Sequence, residues 1–216
     1  MTADLRSGRR FVTGSNVTGV ARELGDEAGF TDEIFEGLTP GEVEFAGRML
    51  VECTFVDCDL SEVSLQGTQL ADCRFQGCEF ALVNLTDAVL QSVEFDTCRL
   101  TGVNFGAVRR LPIVPEAKLT DCDLSFTRFR ELDLTAWSFE GCRFNEAEFV
   151  RCDLKGVSFA NADLTRCTFQ RNDLAVADLR GARGYVISPL DNNLRGTRVS
   201  LPEALGLLAA VGVEVE

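Results

Sequence analysis

The chain has 216 residues, with 34 acidic and 21 basic side chains, no histidine and a formal charge of −13. An apolar fraction of 45 % is ample for a core, but this acidity argues against general nucleic-acid binding, which needs clustered Lys and Arg on phosphate. The missing imidazole excludes a Ser-His-Asp triad and every zinc site that uses histidine.

Residues 1–32 carry no apolar period and are rich in Gly, Thr and charge, so they are expected to form a mobile N-terminal tail. Arg6, Arg9, Arg10 and Arg22 are not followed by an apolar run of signal-peptide length. No stretch approaches the ~18 apolar residues of a membrane span. A cytoplasmic protein without membrane contact is the expectation. Phe35 and Leu38 are expected to open an N-terminal cap, and the ordered body is expected to run over 33–199.

A five-residue period then governs the chain. From Phe45 through Leu50, Phe55 and Leu60 to Phe105, every fifth residue is Leu or Phe. The same rule holds from Leu119 to Leu179 in a second register. The residue two before each centre is mostly small. Side chains two apart on an extended chain point the same way, so each unit presents a large and a small residue inward. A helix cannot carry this pattern, because a step of five rotates the apolar residue around its axis. The consistent solution is an all-β solenoid of stacked coils. Phe35, Phe55, Phe75 and Phe95 recur at twenty, as do Cys58, Cys78 and Cys98, which favours four sides per coil. Units over 43–107 and 117–181 then give six and a half coils, a rod of about 31 Å at ~4.8 Å per coil.

All nine cysteines fall at the inward small position, so their spacing is the repeat period and not a ligand pattern. They are expected to be reduced, buried thiols. No metal, cofactor or catalytic residue is expected: the carboxylates are outward repeat positions, and no phosphate-binding loop pattern exists. Trp137 replaces a small inward residue. It is either a local core adjustment or a binding platform.

The first break, 108–116, holds two prolines and cannot pair as a regular strand. It is expected to bulge as a loop with a basic tip, Arg109 and Arg110, and exposed Leu111, Ile113 and Val114, a candidate partner-binding element. Residues 182–199 are expected to form a distorted final coil, with Leu194 and Val199 back in phase. Ser200 and Glu203 then form a capping-box pattern with Pro202 in the first turn. A short α-helix with an apolar stripe of Leu201, Leu205, Leu208 and Val211 follows, and Gly212 is expected to end it. Val213-Glu214-Val215 alternates like a short strand. Residues 200–216 are therefore expected to cap the open β-end, either as a cap alone or also as a dimer interface.

The repeated run typified by Asn161-Ala162-Asp163-Leu164 resembles the pentapeptide-repeat family over about 43–199. The resemblance implies a right-handed quadrilateral β-helix with a short C-terminal helix as cap. The two blocks, the interrupting loop, the ending over 194–216 and the acidity resemble the Qnr-like branch. That implies a non-enzymatic homodimer joined through its C-termini, a DNA-shaped rod that binds DNA gyrase or topoisomerase IV and protects it from quinolone-type inhibitors. The alternative is a scaffold for a non-topoisomerase protein partner, because fold does not fix function. Residues 23–62 carry a net −11, so Glu42, Glu44, Glu52, Asp57, Asp59 and Glu62 form the candidate acidic surface. A dimer would still carry about half the charge density of duplex DNA, which has one charge per ~1.7 Å. Shape, the acidic end and the loop therefore carry more of this reading than charge does.

Overall fold

The structure, a computed structural model, describes residues 10–13 and 29–214. Its strands are β1 (Arg10–Thr13), β2 (Phe30–Thr31), β3 (Glu33–Glu36), β4 (Met49–Val51), β5 (Thr54–Val56), β6 (Gln69–Ala71) and β7 (Arg74–Gln76). They continue with β8 (Val89–Gln91), β9 (Val93–Asp96), β10 (Ala117–Thr120), β11 (Arg128–Arg130), β12 (Trp137–Glu140), β13 (Glu148–Val150) and β14 (Thr168–Gln170). A 3-10 turn spans Phe105–Ala107, and one helix, α1, spans Leu205–Ala209.

The five-residue period becomes a four-sided coil. Leu50 pairs with Leu70 and Phe55 with Phe75, both in parallel at an offset of twenty. The first side is a seven-stranded sheet, β1-β3-β5-β7-β9-β10-β12. The second is a column of single bridges from Asp59 through Glu79, Arg99, Asp123, Arg143 and Asp163 to Arg183. The third holds the bridge Ser64–Asn84 and then β11-β13-β14. The fourth holds β2-β4-β6-β8 and, further down, the bridges Asp133–Asp153–Asp173–Asn193. The chain is thus a right-handed quadrilateral β-helix, with its short helix at the C-terminal end.

Most corners hold a left-handed residue. Gly67, Gly77 and Gly102 take positive φ without strain, whereas Glu52, Asp57, Glu62, Leu82 and even β-branched Val176 take it at a cost in backbone strain. Inside, the centres are sealed. Phe35, Phe55, Phe75 and Phe95 stack with ring centroids 4.5, 4.7 and 4.9 Å apart. A second pillar, Phe105, Phe129, Phe149 and Phe169, stacks at 4.9, 4.7 and 5.0 Å. The small inward positions form rungs between the pillars. Cys98 Sγ donates to the Phe75 carbonyl at 3.4 Å, and Cys122 Sγ to that of Phe95 at 3.5 Å. All nine thiols are free and buried. Burial pushes the Cys167 thiol up to about 12 and raises that of Cys152. Two inward asparagines extend the same logic. Asn172 accepts from Cys152 N–H at 2.9 Å and donates to the Phe149 carbonyl at 3.0 Å and to Asn192 Oδ1 at 3.1 Å.

Three boundaries differ from the sequence reading. The solenoid begins earlier: β1 and β2 lie inside the expected tail. Val12 is fully buried opposite Phe35, and Phe30 opposite Leu50. The β1–β3 offset is 23 residues, not a multiple of five, which hides this coil from a period search. The rest of the expected tail, 1–9 and 14–28, lies outside the described residues. The second difference is the capping box, which does not form. Ala204, not Ser200, precedes α1 and makes no side-chain cap. Ser200 Oγ instead accepts from Gly181 N–H at 3.2 Å, and the Glu203 carboxylate from Gly184 N–H at 2.9 Å. Both side chains serve the open backbone of the last coil. The third is the expected C-terminal strand: Val213 and Glu214 form none, and Val215 lies outside the described residues. The final coil is distorted as expected, with Tyr185 and Ile187 buried and Leu194 and Val199 half-buried.

Candidate partner-binding surfaces

The loop occupies one side of one coil. Arg109 N–H still reaches the Ala88 carbonyl at 2.8 Å, as a fourth-side residue should. The chain then leaves the stack and returns at Ala117, which pairs with Val93 at an offset of 24. One five-residue unit is therefore missing from the fourth side and nine residues stand in its place. Trp137 moves into the resulting gap. It is 5 % exposed and meets Phe105 edge-on at 5.6 Å, so its sequence anomaly is a packing response to the missing unit. Its Nε1 has no hydrogen-bond partner.

Loop residues divide. Ile113 is 81 % exposed, and Arg109 is exposed. Leu111 and Val114, expected on the surface, are half-buried, because they fold over the same gap. Arg110 is not a free basic tip. It lies 3.1 Å from Glu131, which also meets Arg151 at 3.3 Å. Arg110 and Arg151 together hold the Glu131 carboxyl below its ordinary range. Between loop and solenoid lies an open groove of about 250 Å³ lined by Leu111, Val114, Leu132, Leu134 and Trp137, with the charged Arg109, Arg110, Glu131 and Asp133 around them.

The candidate acidic residues do not share a side. Glu52, Asp57 and Glu62 occupy three successive corners, Asp59 belongs to the second side and Glu44 precedes Phe45 on the third. Glu42 is tied down by the Thr39 N–H at 2.6 Å. They ring the N-terminal end. Lower on the rod, opposite charges alternate along the second side. Glu79 meets Arg99 at 2.9 Å, Asp123 meets Arg143 at 3.1 Å and Asp163 meets Arg183 at 2.9 Å. Lys155 bridges Asp153 and Asp173 on the fourth side at 3.3 and 3.2 Å. Exposed pairs of this kind add little stability. Their main effect is to neutralise the surface. Sequence reasoning missed them because it read outward positions by composition; stepping through those positions by twenty exposes the alternation. The upper fourth side is different again: its outward residues Met49, Val51, Gln69, Ala71, Val89 and Gln91 carry no charge.

At the C-terminal end, Leu207 of α1 packs on the core. A Cβ at Gly206 would fall 2.8 Å from the Tyr185 carbonyl, so the helix lies directly on the last coil. The expected stripe faces outward: Leu201 is 76 % exposed, and Leu205, Leu208 and Val211 are exposed with it. Among the described residues no cluster of Cys, Asp and Glu is placed to hold a metal ion, and no helix is long and apolar enough to cross a membrane.

Comparison with known proteins places this geometry. The family model of the pentapeptide repeat region matches residues 30–108 and 114–179, stopping and restarting around the loop. No curated protein matches the sequence. Among solved structures, a trypsin-treated variant of QnrB1, a plasmid-mediated fluoroquinolone resistance protein, superposes with a TM-score of 0.52 at 18 % identity. The match covers 97 % of this chain and all of that one. Full-length QnrB1 gives 0.50 at 20 % identity over 87 % of this chain and all of its own. At these identities the likeness speaks for the fold, and the repeat match for the lineage: the chain belongs to the pentapeptide-repeat family.

Proposed function

We propose that the chain is a non-enzymatic interaction protein that binds DNA gyrase or topoisomerase IV as a DNA-shaped rod and modulates its response to quinolone-type inhibitors. The observation that carries this reading is the rod itself: four flat sides, an acidic N-terminal ring, one projecting loop and an apolar C-terminal end. A fluoroquinolone resistance protein shares the fold of this rod along almost the whole chain, which supports the reading. The outward stripe of Leu201, Leu205, Leu208 and Val211 would join two copies end to end, doubling the length available to fill a DNA channel. Charge alone would not suffice, since ion pairs neutralise much of the lower rod. A supercoiling assay with and without ciprofloxacin tests the reading, beside light-scattering mass of the wild type and of Leu205→Glu/Leu208→Glu. The expected outcome is altered supercoiling or drug sensitivity at micromolar protein, and a dimer that the double variant converts to monomer. No effect on several bacterial topoisomerases would overturn the topoisomerase assignment.

The second reading is a scaffold for a different protein. The uncharged rows over 49–91 favour it, because a flat neutral sheet suits a protein surface better than a basic DNA channel. A pull-down that retrieves a non-topoisomerase partner, lost on deletion of 108–116, would support it.

A further inference from the structure

The corner between the second and third sides carries one residue per coil. From the N-terminal end these are Glu62, Leu82, Gly102, Phe126, Glu146 and Arg166, each at positive φ. Leu82 and Phe126 are the anomalous members. Left-handed backbone strains a bulky side chain, and both residues are exposed, at 65 and 49 %. Neither the strain nor the exposure serves the core. Two coils, about 10 Å, separate them, with Gly102 between. A Cβ at Gly102 would meet Leu82 Cδ2 at 3.0 Å and, beyond its chain neighbours, no other atom within 4 Å. Gly102 is thus the floor of a notch, walled by Leu82 and open towards Phe126.

We propose that this corner binds a second copy of the chain, side by side and antiparallel, with Phe126 of each copy seated on Gly102 of the other. The two-fold axis crosses the corner midway between Gly102 and Phe126. Size fits at the centre. Leu82, Phe126 of the second copy, Phe126 and Leu82 of the second copy then follow one another coil by coil as one apolar row. Charge fits at the ends. The same rotation sets Glu62 opposite Arg166 of the second copy, and Arg166 opposite its Glu62. Glu146 falls beside Leu82 of the second copy, and its charge is already met by Arg166 of its own chain at 3.2 Å. The flanks oppose no like charges. Ser61, Ala81, Thr101, Ser125, Asn145 and Thr165 on the second side are all uncharged, and on the third side Asn84 faces Glu148 and Asn104 faces Arg128. Other arrangements fail this test. Parallel rods would set Glu62, Glu146 and Arg166 each against itself, and an axis through Gly102 would set Glu62 against Glu146. A corner six coils long spans about 24 Å and falls short of the ~1,600 Å² of a standard interface, so the contact is weak and reversible. It shares no residue with the loop or the C-terminal helix and does not depend on the topoisomerase reading.

Sedimentation equilibrium tests the proposal on the full chain carrying Leu205→Glu/Leu208→Glu, which removes any contribution of the C-terminal stripe. Protein is taken up to about 1 mM, where contacts below standard size still register. The expected result is a reversible monomer–dimer equilibrium. Phe126→Asn should weaken it about ten-fold, through two half-exposed rings no longer buried. The same substitution should raise the melting temperature by about 2–4 °C, because asparagine accepts the left-handed corner. A side chain that served only the fold would not combine these two effects. Arg166→Glu sets like charges opposite each other at both ends and should weaken association about five-fold, and adding Glu62→Arg should restore it to within about two-fold. The proposal is overturned by a monomer at every concentration, or by unchanged association in Phe126→Asn or in Arg166→Glu. A lower melting temperature of Phe126→Asn, or failure of Glu62→Arg to rescue Arg166→Glu, overturns it as well.

Discussion

Replacing Asn172 with alanine tests whether inward polar groups hold this solenoid together. Asn172 is 3 % exposed, and its side chain makes three hydrogen bonds, to Cys152 N–H, the Phe149 carbonyl and Asn192 Oδ1. At about 1 kcal/mol each, their loss amounts to about 3 kcal/mol. Alanine no longer buries an amide, which returns roughly 1 kcal/mol, for a net loss of about 2 kcal/mol. For a chain of this size that lowers the melting temperature by about 4–8 °C. Asn192→Ala should behave similarly, because Asn192 donates to the Phe169 carbonyl at 3.0 Å and accepts from Asn172 N–H at 2.9 Å. The double variant should cost about 1 kcal/mol less than the sum, since one side-chain bond is common to both. Urea unfolding followed by circular dichroism, with the slope checked for constancy, measures all three. A shift of Asn172→Ala below about 1 °C, or strict additivity in the double variant, would refute the reasoning.

Other consequences are as direct. Hydrogen bonds from Arg180 hold the Asp178 carboxyl near 2, against an opposing but smaller effect of burial. At Asp163 and Asp173 burial pulls upward, and hydrogen bonds from Thr165 and Arg183, and from Ala175, Lys155 and Asn193, outweigh it. Groups depressed in the folded state stabilise fully above their unfolded values, so the melting temperature should fall as pH drops from about 4 to 2. With no histidine it should be flat from about pH 6 to 8, and the raised thiols should make it decline above about pH 9; a step near neutrality would contradict this. Val176 is a β-branched residue at φ 55° and is 61 % exposed. Val176→Asn should relieve about 1 kcal/mol and raise the melting temperature by about 2–4 °C, and an unchanged or lower value would count against a strained corner. All nine thiols should resist Ellman's reagent in the native protein and react in guanidinium; rapid native reaction of several would contradict their burial.

The body of the fold was legible because one physical demand, a large and a small side chain facing inward every five residues, writes itself into Leu, Phe and Cys positions. Recurrence of Phe and Cys at twenty disclosed four sides for the same reason: like stacks on like. What escaped the sequence breaks that repetition. Val12 pairs with Phe35 across 23 residues, so its coil has no period to find. Ser200 and Glu203 read as a helix cap, because the pattern cannot show that Gly181 and Gly184, some nineteen residues back, present open N–H groups to the same side chains. At the loop, apolar type predicted exposure for Leu111 and Val114, and only the missing fourth-side unit explains why they turn inward. Trp137 announced the gap by its size, but its neighbours were visible only in three dimensions.

The hydrogen bonds between coils have a further consequence for the electric field of the rod. Glu79 donates to Cys58 in the coil above at 2.9 Å, while its own carbonyl accepts from Leu60 of that same coil at 2.8 Å. Arg74 donates upward to Cys53 at 2.9 Å, and Asp57 donates downward to Gln76 at 2.9 Å. Peptide dipoles thus oppose one another along the axis, unlike those of an α-helix, and sum to little. The backbone gives the rod almost no polarity of its own. Its potential is set by side chains at outward positions that the core does not constrain. Surface charge is therefore free to change from one member of such a lineage to another with the architecture intact, and charge reversals along the second side would redraw the field while leaving the stack beneath it unaltered.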